Sequence, residues 1–209
     1  MTTKTKLRPC RIAVCLCCIT ACTTACVSAD NPLDIQDGVV ENCYQDATTI
    51  TVPATYDGES VTSIGEAAFQ DCQSLTDLTL DAEIVTIGDY AFQNCSALTE
   101  ITLPDSVTTL GEEAFAGCTS LESVTLSENL TTISENAFES CVQLTEIAIP
   151  ESVTSIAVYA FYTCENLTTV YYAGTEEAWE ALDLDLYTFP ATCTIVYESD
   201  GVAEATATT

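Results

Sequence analysis

Phenylalanine recurs at a fixed step of 23 residues: Phe69, Phe92, Phe115, Phe138 and Phe161. Two further columns keep the same step, Cys72 through Cys95, Cys118 and Cys141 to Cys164, and Leu75 through Leu98, Leu121 and Leu144 to Leu167. Ala68, Ala91, Ala114, Ala137 and Ala160 hold another, and Ile64, Ile87, Leu110, Ile133 and Ile156 a fifth. No insertion falls between Phe69 and Tyr172. A unit this short buries almost nothing alone, so gapless copies must stack and bury their apolar columns against one another. That requirement predicts a solenoid.

Each unit carries Leu-Thr-x-Ile-x-Leu, with apolar residues alternating at 78/80, 101/103, 124/126, 147/149 and 170/172. Alternation of this kind puts one face of a strand inward and the other in solvent. A turn follows, marked by Pro104 or Pro150, then a second short extended stretch, then a turn and a half of helix around Glu-x-Ala-Phe. The fold class expected is an α/β repeat solenoid, right-handed, of about six rungs with a cap at each end. Gly65, Gly88 and Gly111 are read as supplying backbone conformations that other residues strain to adopt. Residues 30–49 are read as an N-terminal cap or linker, 50–172 as the repeats, 173–199 as a C-terminal cap and 200–209 as a disordered tail. Within the C-terminal cap, Thr175-Glu176-Glu177 predicts the start of a short helix bearing Trp179 and Leu182, and residues 192–197 a closing strand.

Charge divides the chain. Lys4, Lys6, Arg8 and Arg11 are the four basic residues, histidine is absent, and all 32 Asp and Glu lie from Asp30 onward. Residues 1–29 have the order of a secretory signal: a basic start, an apolar stretch over 12–22, and a small polar segment ending Val27-Ser28-Ala29. Cleavage before Asp30 is one expected outcome. Ile19-Thr20-Ala21-Cys22 also resembles a lipobox, which makes Cys22 a lipidation candidate and a lipid anchor the one expected route to a membrane.

Seven cysteines follow the leader: Cys43, Cys72, Cys95, Cys118, Cys141, Cys164 and Cys193. Stacked rungs would bring neighbouring Cα atoms to about 5 Å, inside the disulfide range, although parallel side chains do not readily reach the required dihedral. Reduced, inert thiols are the favoured reading and disulfides the other. No CxxC follows the leader and no histidine assists, so no metal site is expected.

The repeats with their Ala-Phe-x-x-Cys-x-x-Leu-x-x-Ile-x-Leu-Pro core resemble the BspA-type leucine-rich repeat family. So do the segments VPATYDGESVTSIGEAAF (52–69) and VYYAGTEEAW (170–179). The resemblance covers roughly residues 50–197 and implies a secreted or surface protein, with adhesion to extracellular-matrix proteins or other microbes as the family's activity.

The missing residue types exclude much chemistry. Without histidine neither a Ser-His-Asp nor a Cys-His arrangement can form, and without Lys or Arg beyond the leader there is no Schiff base or phosphate clamp. No catalytic residue, cofactor or enzyme activity is expected, and the acidic body would repel nucleic acid. What remains is the outward face of the strands, where Asp77, Glu100, Ser123 and Glu146 form one column and Thr79, Thr102 and Thr125 another. These seven are the candidate ligand-binding residues. The function expected is binding or adhesion to a protein partner, host extracellular or microbial, by a monomer. A structural spacer and a carbohydrate-binding module are the alternatives.

Overall fold

Each 23-residue unit makes one turn of a β-solenoid and carries two short strands, which stack on those of the next unit into two parallel ladders. The computed structural model describes residues 32–43, 46–81, 83–182 and 184–198. The expected leader 1–29, the lipidation candidate Cys22 and the expected tail 200–209 lie outside these residues.

The back ladder runs Val39–Cys43, Ser63–Ile64, Thr86–Ile87, Thr109–Leu110, Thr132–Ile133 and Ser155–Ile156. The front ladder runs Thr49–Val52, Asp77–Leu80, Glu100–Thr102, Ser123–Thr125, Glu146–Ile149, Thr169–Tyr172 and Thr194–Tyr197. Seven front strands make about seven turns, one more than the repeats alone suggest, because Thr49–Val52 and Thr194–Tyr197 add non-standard rungs at the ends. Numbered by their front strands, these are rungs one to seven.

Leu33–Gln36 pairs antiparallel with Val39–Cys43 and closes the outer edge of the back ladder. Asp37 (φ 49°) and Gly38 (φ 78°) form its turn, both left-handed, as a tight hairpin demands.

The corner between the ladders departs from the sequence expectation. Helix was predicted at Glu-x-Ala-Phe, but the backbone there is a run of tight turns. The reason is a competition for amide protons. In the unit of Phe92, the N–H groups of Tyr90, Phe92 and Asn94 donate to the carbonyls of Glu112, Ala114 and Ala116 in the next rung, each at 2.8 Å. Amides aimed at a neighbouring rung cannot bond i→i−4. To aim them, the residue two before each phenylalanine is left-handed: Ala67, Tyr90, Glu113, Asn136 and Tyr159 have φ between 52° and 61°. The α-helix found among the described residues is Glu176–Glu180, whose N-cap Thr175 accepts a bond from the Ala178 amide at 3.2 Å.

The core is a column of rings. Phe69, Phe92, Phe115, Phe138 and Phe161 are fully buried, with centroids 4.8, 5.0, 5.4 and 5.3 Å apart and near-parallel planes. Phe189 extends the stack past the last repeat, 4.9 Å from Phe161. Trp179 then covers it, 5.7 Å from Phe189 and 5.1 Å from Tyr172. The solenoid thus closes on three aromatic residues from three different segments.

The cysteine column lies beside the rings and does more than fill space. Cys95 Sγ donates to the carbonyl of Phe69 at 3.1 Å, Cys118 to Phe92 at 3.2 Å, Cys141 to Phe115 at 3.3 Å and Cys164 to Phe138 at 3.0 Å. Each of these four thiols therefore bonds back to the preceding rung, and Cys72, Cys95, Cys118, Cys141, Cys164 and Cys193 are reduced. Burial pushes the Cys118 and Cys164 thiols up to about 12, and raises Cys95 and Cys141 as well.

The repeated glycines also have a different cause from the one expected. Gly65, Gly88 and Gly111 are not among the left-handed residues. At Gly88 and Gly111 the cause is close approach, although Ala157 holds the same position in the last repeat with its ladder bond to Ile133 intact at 2.8 Å. A Cβ on Gly111 would lie 2.4 Å from the Asp89 amide nitrogen and the Gly88 carbonyl carbon, and one on Gly88 2.8 Å from the Glu66 nitrogen. Their own amides hold the back ladder together, Gly88 donating to Ile64 and Gly111 to Ile87, both at 2.9 Å. Ser134 occupies this position in the next unit, and there the back ladder is interrupted between Leu110 and Thr132. We predict that Gly111→Ala lowers stability by about 1–3 kcal/mol through this overpacking. A urea titration checks it, and an unchanged midpoint would refute the close-approach explanation.

Candidate functional site

The residues that the sequence singles out do share one face. Parallel register sets Glu100 beside Ser123 and Thr102 beside Thr125. It likewise sets Thr49 beside Asp77, Thr51 beside Thr79, and Glu146 beside Thr169. Asp77, Thr79, Glu100, Thr102, Ser123, Thr125 and Glu146 are all exposed. Along the second column the threonines give way to Ala148, Tyr171 and Val196, so the face becomes more hydrophobic toward its C-terminal end. Among these residues Thr76 Oγ1 donates to Asp77 Oδ2 at 2.6 Å, fixing that carboxylate.

The face is not a continuous sheet. Its strands fall into three hydrogen-bonded groups, with breaks between Leu80 and Glu100 and between Thr125 and Glu146. Both fall where the residue after the strand is proline. In rung two the amide following the strand, Asp81, donates to the Val52 carbonyl of the preceding rung at 3.0 Å. In rung six Ala173 donates to Ile149 in the same way, also at 3.0 Å. In rungs three and five this position is Pro104 and Pro150. Proline has no amide proton, so the tie cannot form.

A cleft opens at each break. The larger, of about 460 Å³, has Val124, Leu126, Ile147 and Ile149 in its floor, with Glu122, Glu128, Glu146, Thr145 and Tyr171 around it. The smaller, of about 340 Å³, is lined by Leu78, Thr79, Leu80, Glu100, Ile101, Thr102 and Pro104. Both volumes lie within the range of small-ligand sites, about 300–1,000 Å³. The two clefts are equivalent positions in the repeat. Leu78, Thr79, Leu80, Glu100, Ile101, Thr102 and Pro104 each have a counterpart 46 residues on, at 124, 125, 126, 146, 147, 148 and 150, and every counterpart lines the larger cleft.

Six of the seven candidate residues therefore line a cleft together with partners the sequence did not single out. Thr79, Glu100 and Thr102 line the smaller cleft, and Ser123, Thr125 and Glu146 the larger; Asp77 lines neither. Glu122, Glu128 and Tyr171 were missed as site residues. The alternation of Pro53, Pro104 and Pro150 with Asp81, Ser127 and Ala173 after successive strands is visible in the sequence, but it points to a cleft only once the carbonyl opposite each proline is known.

Comparison with known proteins places this architecture. A family model described as the BspA type leucine rich repeat region matches residues 33–172 in six copies. The solved leucine-rich repeat protein from Eubacterium ventriosum is 22% identical, with a TM-score of 0.60 over 80% of this chain and 49% of that one. A leucine rich cell surface protein from Faecalibacterium prausnitzii is 26% identical, with a TM-score of 0.48 over 67% of this chain and 52% of its own. A leucine-rich repeat protein from Bacteroides capillosus is 33% identical, with a TM-score of 0.40 over 64% of this chain and 85% of that one. This chain thus spans about half the length of the first two. No curated protein matches it. With the family model covering well over half its length, the chain belongs to the BspA-type leucine-rich repeat family.

Proposed function

We propose that this chain is an exported binding module that captures a protein partner, in the host's extracellular space or on a microbial surface, through its front face. The observation that carries the reading is the alignment of Asp77, Glu100, Ser123 and Glu146 beside Thr79, Thr102 and Thr125 on one exposed, regularly spaced surface. Stacked repeats commonly bind through such arrays. Carboxylates without any facing cation select a basic partner, by steering its approach and by pairing at the interface. What supports export is the ordered basic, apolar and small-polar sequence of residues 1–29.

The test is direct binding of purified basic matrix proteins to immobilised chain, by surface plasmon resonance at rising salt. We predict that Glu100→Gln with Glu146→Gln weakens the interaction about tenfold or more, chiefly through slower association, with the effect shrinking as salt rises. Equal affinity for the wild-type and doubly substituted proteins at low salt would overturn this reading. Glycan-array binding that persists in high salt would favour a carbohydrate ligand instead.

A further inference from the structure

We infer that the two clefts form a paired receptor for an extended basic segment, one whose Lys or Arg side chains at positions i and i+3 enter adjacent clefts. The inference rests on the front-face binding reading and names what that face reads.

Three observations converge. The first is spacing. The clefts are repeat-equivalent and two rungs apart, which at one strand spacing per rung is about 10 Å along the axis. A polyproline-type segment rises about 3.1 Å per residue, so side chains three apart stand at about 9 Å.

The second is chemistry. Each cleft has an aliphatic floor and a carboxylate at its rim, Glu100 in one and Glu146, Glu122 and Glu128 in the other. A long side chain with a methylene stem and a cationic tip matches that arrangement, and Tyr171 offers the larger cleft a ring face for the cation.

The third is the backbone. Pro104 and Pro150 cannot supply the Leu80 and Leu126 carbonyls with the donor that serves Val52 and Ile149. An extended ligand has free amides to offer those carbonyls, whereas the middle of a helix has none. The prolines thus mark both clefts and leave each with a carbonyl that an extended backbone can reach.

The experiment is fluorescence anisotropy with two labelled peptides of equal charge, one with arginines at i and i+3 and one with them adjacent. Wild-type protein is expected to bind the i, i+3 peptide at least five times more tightly. Pro104→Ala with Pro150→Ala restores both amides and leaves the charge untouched, and is expected to abolish that preference. Ala148→Leu, which fills the mouth of the larger cleft, is expected to reduce it independently. Glu100→Gln with Glu146→Gln removes a rim carboxylate from each cleft and should weaken the i, i+3 peptide more than the adjacent one. Asp77→Asn, on the same face but outside both clefts, should weaken both peptides alike and reports on the front-face reading. Equal binding of the two peptides by the wild-type protein would overturn the inference. So would a preference that survives in a folded double-alanine variant, even if Asp77→Asn shows that the face binds basic ligands.

Discussion

Phe115→Ala is expected to destabilise the protein by about 3–5 kcal/mol, the cost of truncating a large, fully buried ring. Phe115 sits mid-stack, 5.0 Å from Phe92 and 5.4 Å from Phe138, with no exposed surface. The rungs on either side are hydrogen-bonded to it and cannot collapse into the void without breaking the corner bonds from Phe92 to Ala114 and from Phe115 to Ala137. A solenoid couples its rungs through nearest neighbours only. The same variant should therefore loosen the coupling between the two halves, and its urea transition should be broader as well as earlier. Circular dichroism against urea measures both. A loss below about 1 kcal/mol would mean that the ring column is not the spine of this fold.

Alkaline pH should produce the second large effect. The buried thiols titrate well above their ordinary value of 9.0, with Cys118 and Cys164 raised to about 12 and Cys95 and Cys141 raised in the same direction. In each case the first cause is burial, which penalises the thiolate. A folded pKa above the unfolded one means that the native state holds protons the unfolded state releases. The stabilisation is complete below about pH 9 and is lost as pH climbs toward 12. Each such thiol contributes up to about 1.4 kcal/mol per pH unit, so four together have a ceiling of about 5.6 kcal/mol per unit. Ionisation would also remove the S–H groups that donate to the phenylalanine carbonyls. Urea midpoints in reductant at pH 7.5, 9 and 10.5 test this. We predict little change over the first step and a steep fall over the second. A midpoint unchanged at pH 10.5 would contradict a protonated, interior thiol column.

How far the sequence reveals this molecule depends on which interactions leave a periodic trace. The Phe, Cys and Leu columns do, because every rung must supply the same shape to its neighbours. Phe189 does not. It follows Phe161 by 28 residues rather than 23, and only the path of the C-terminal segment brings it onto the stack. The corner misleads for a local reason: Glu and Ala favour helix, but amides committed to the next rung override that preference. The outward columns were legible because strand alternation assigns them a face. The clefts were not, since a proline's missing proton matters only once the carbonyl opposite is known. Asp81 and Ala173 reveal that partner, and Pro104 and Pro150 then acquire a meaning beyond marking a turn.

A crystal structure of the protein would test the account most directly. It should show the five repeat phenylalanines in one column at spacings near 5 Å, and front strands parted at Pro104 and Pro150. Rings dispersed to separate faces, or an unbroken front ladder running past both prolines, would contradict it.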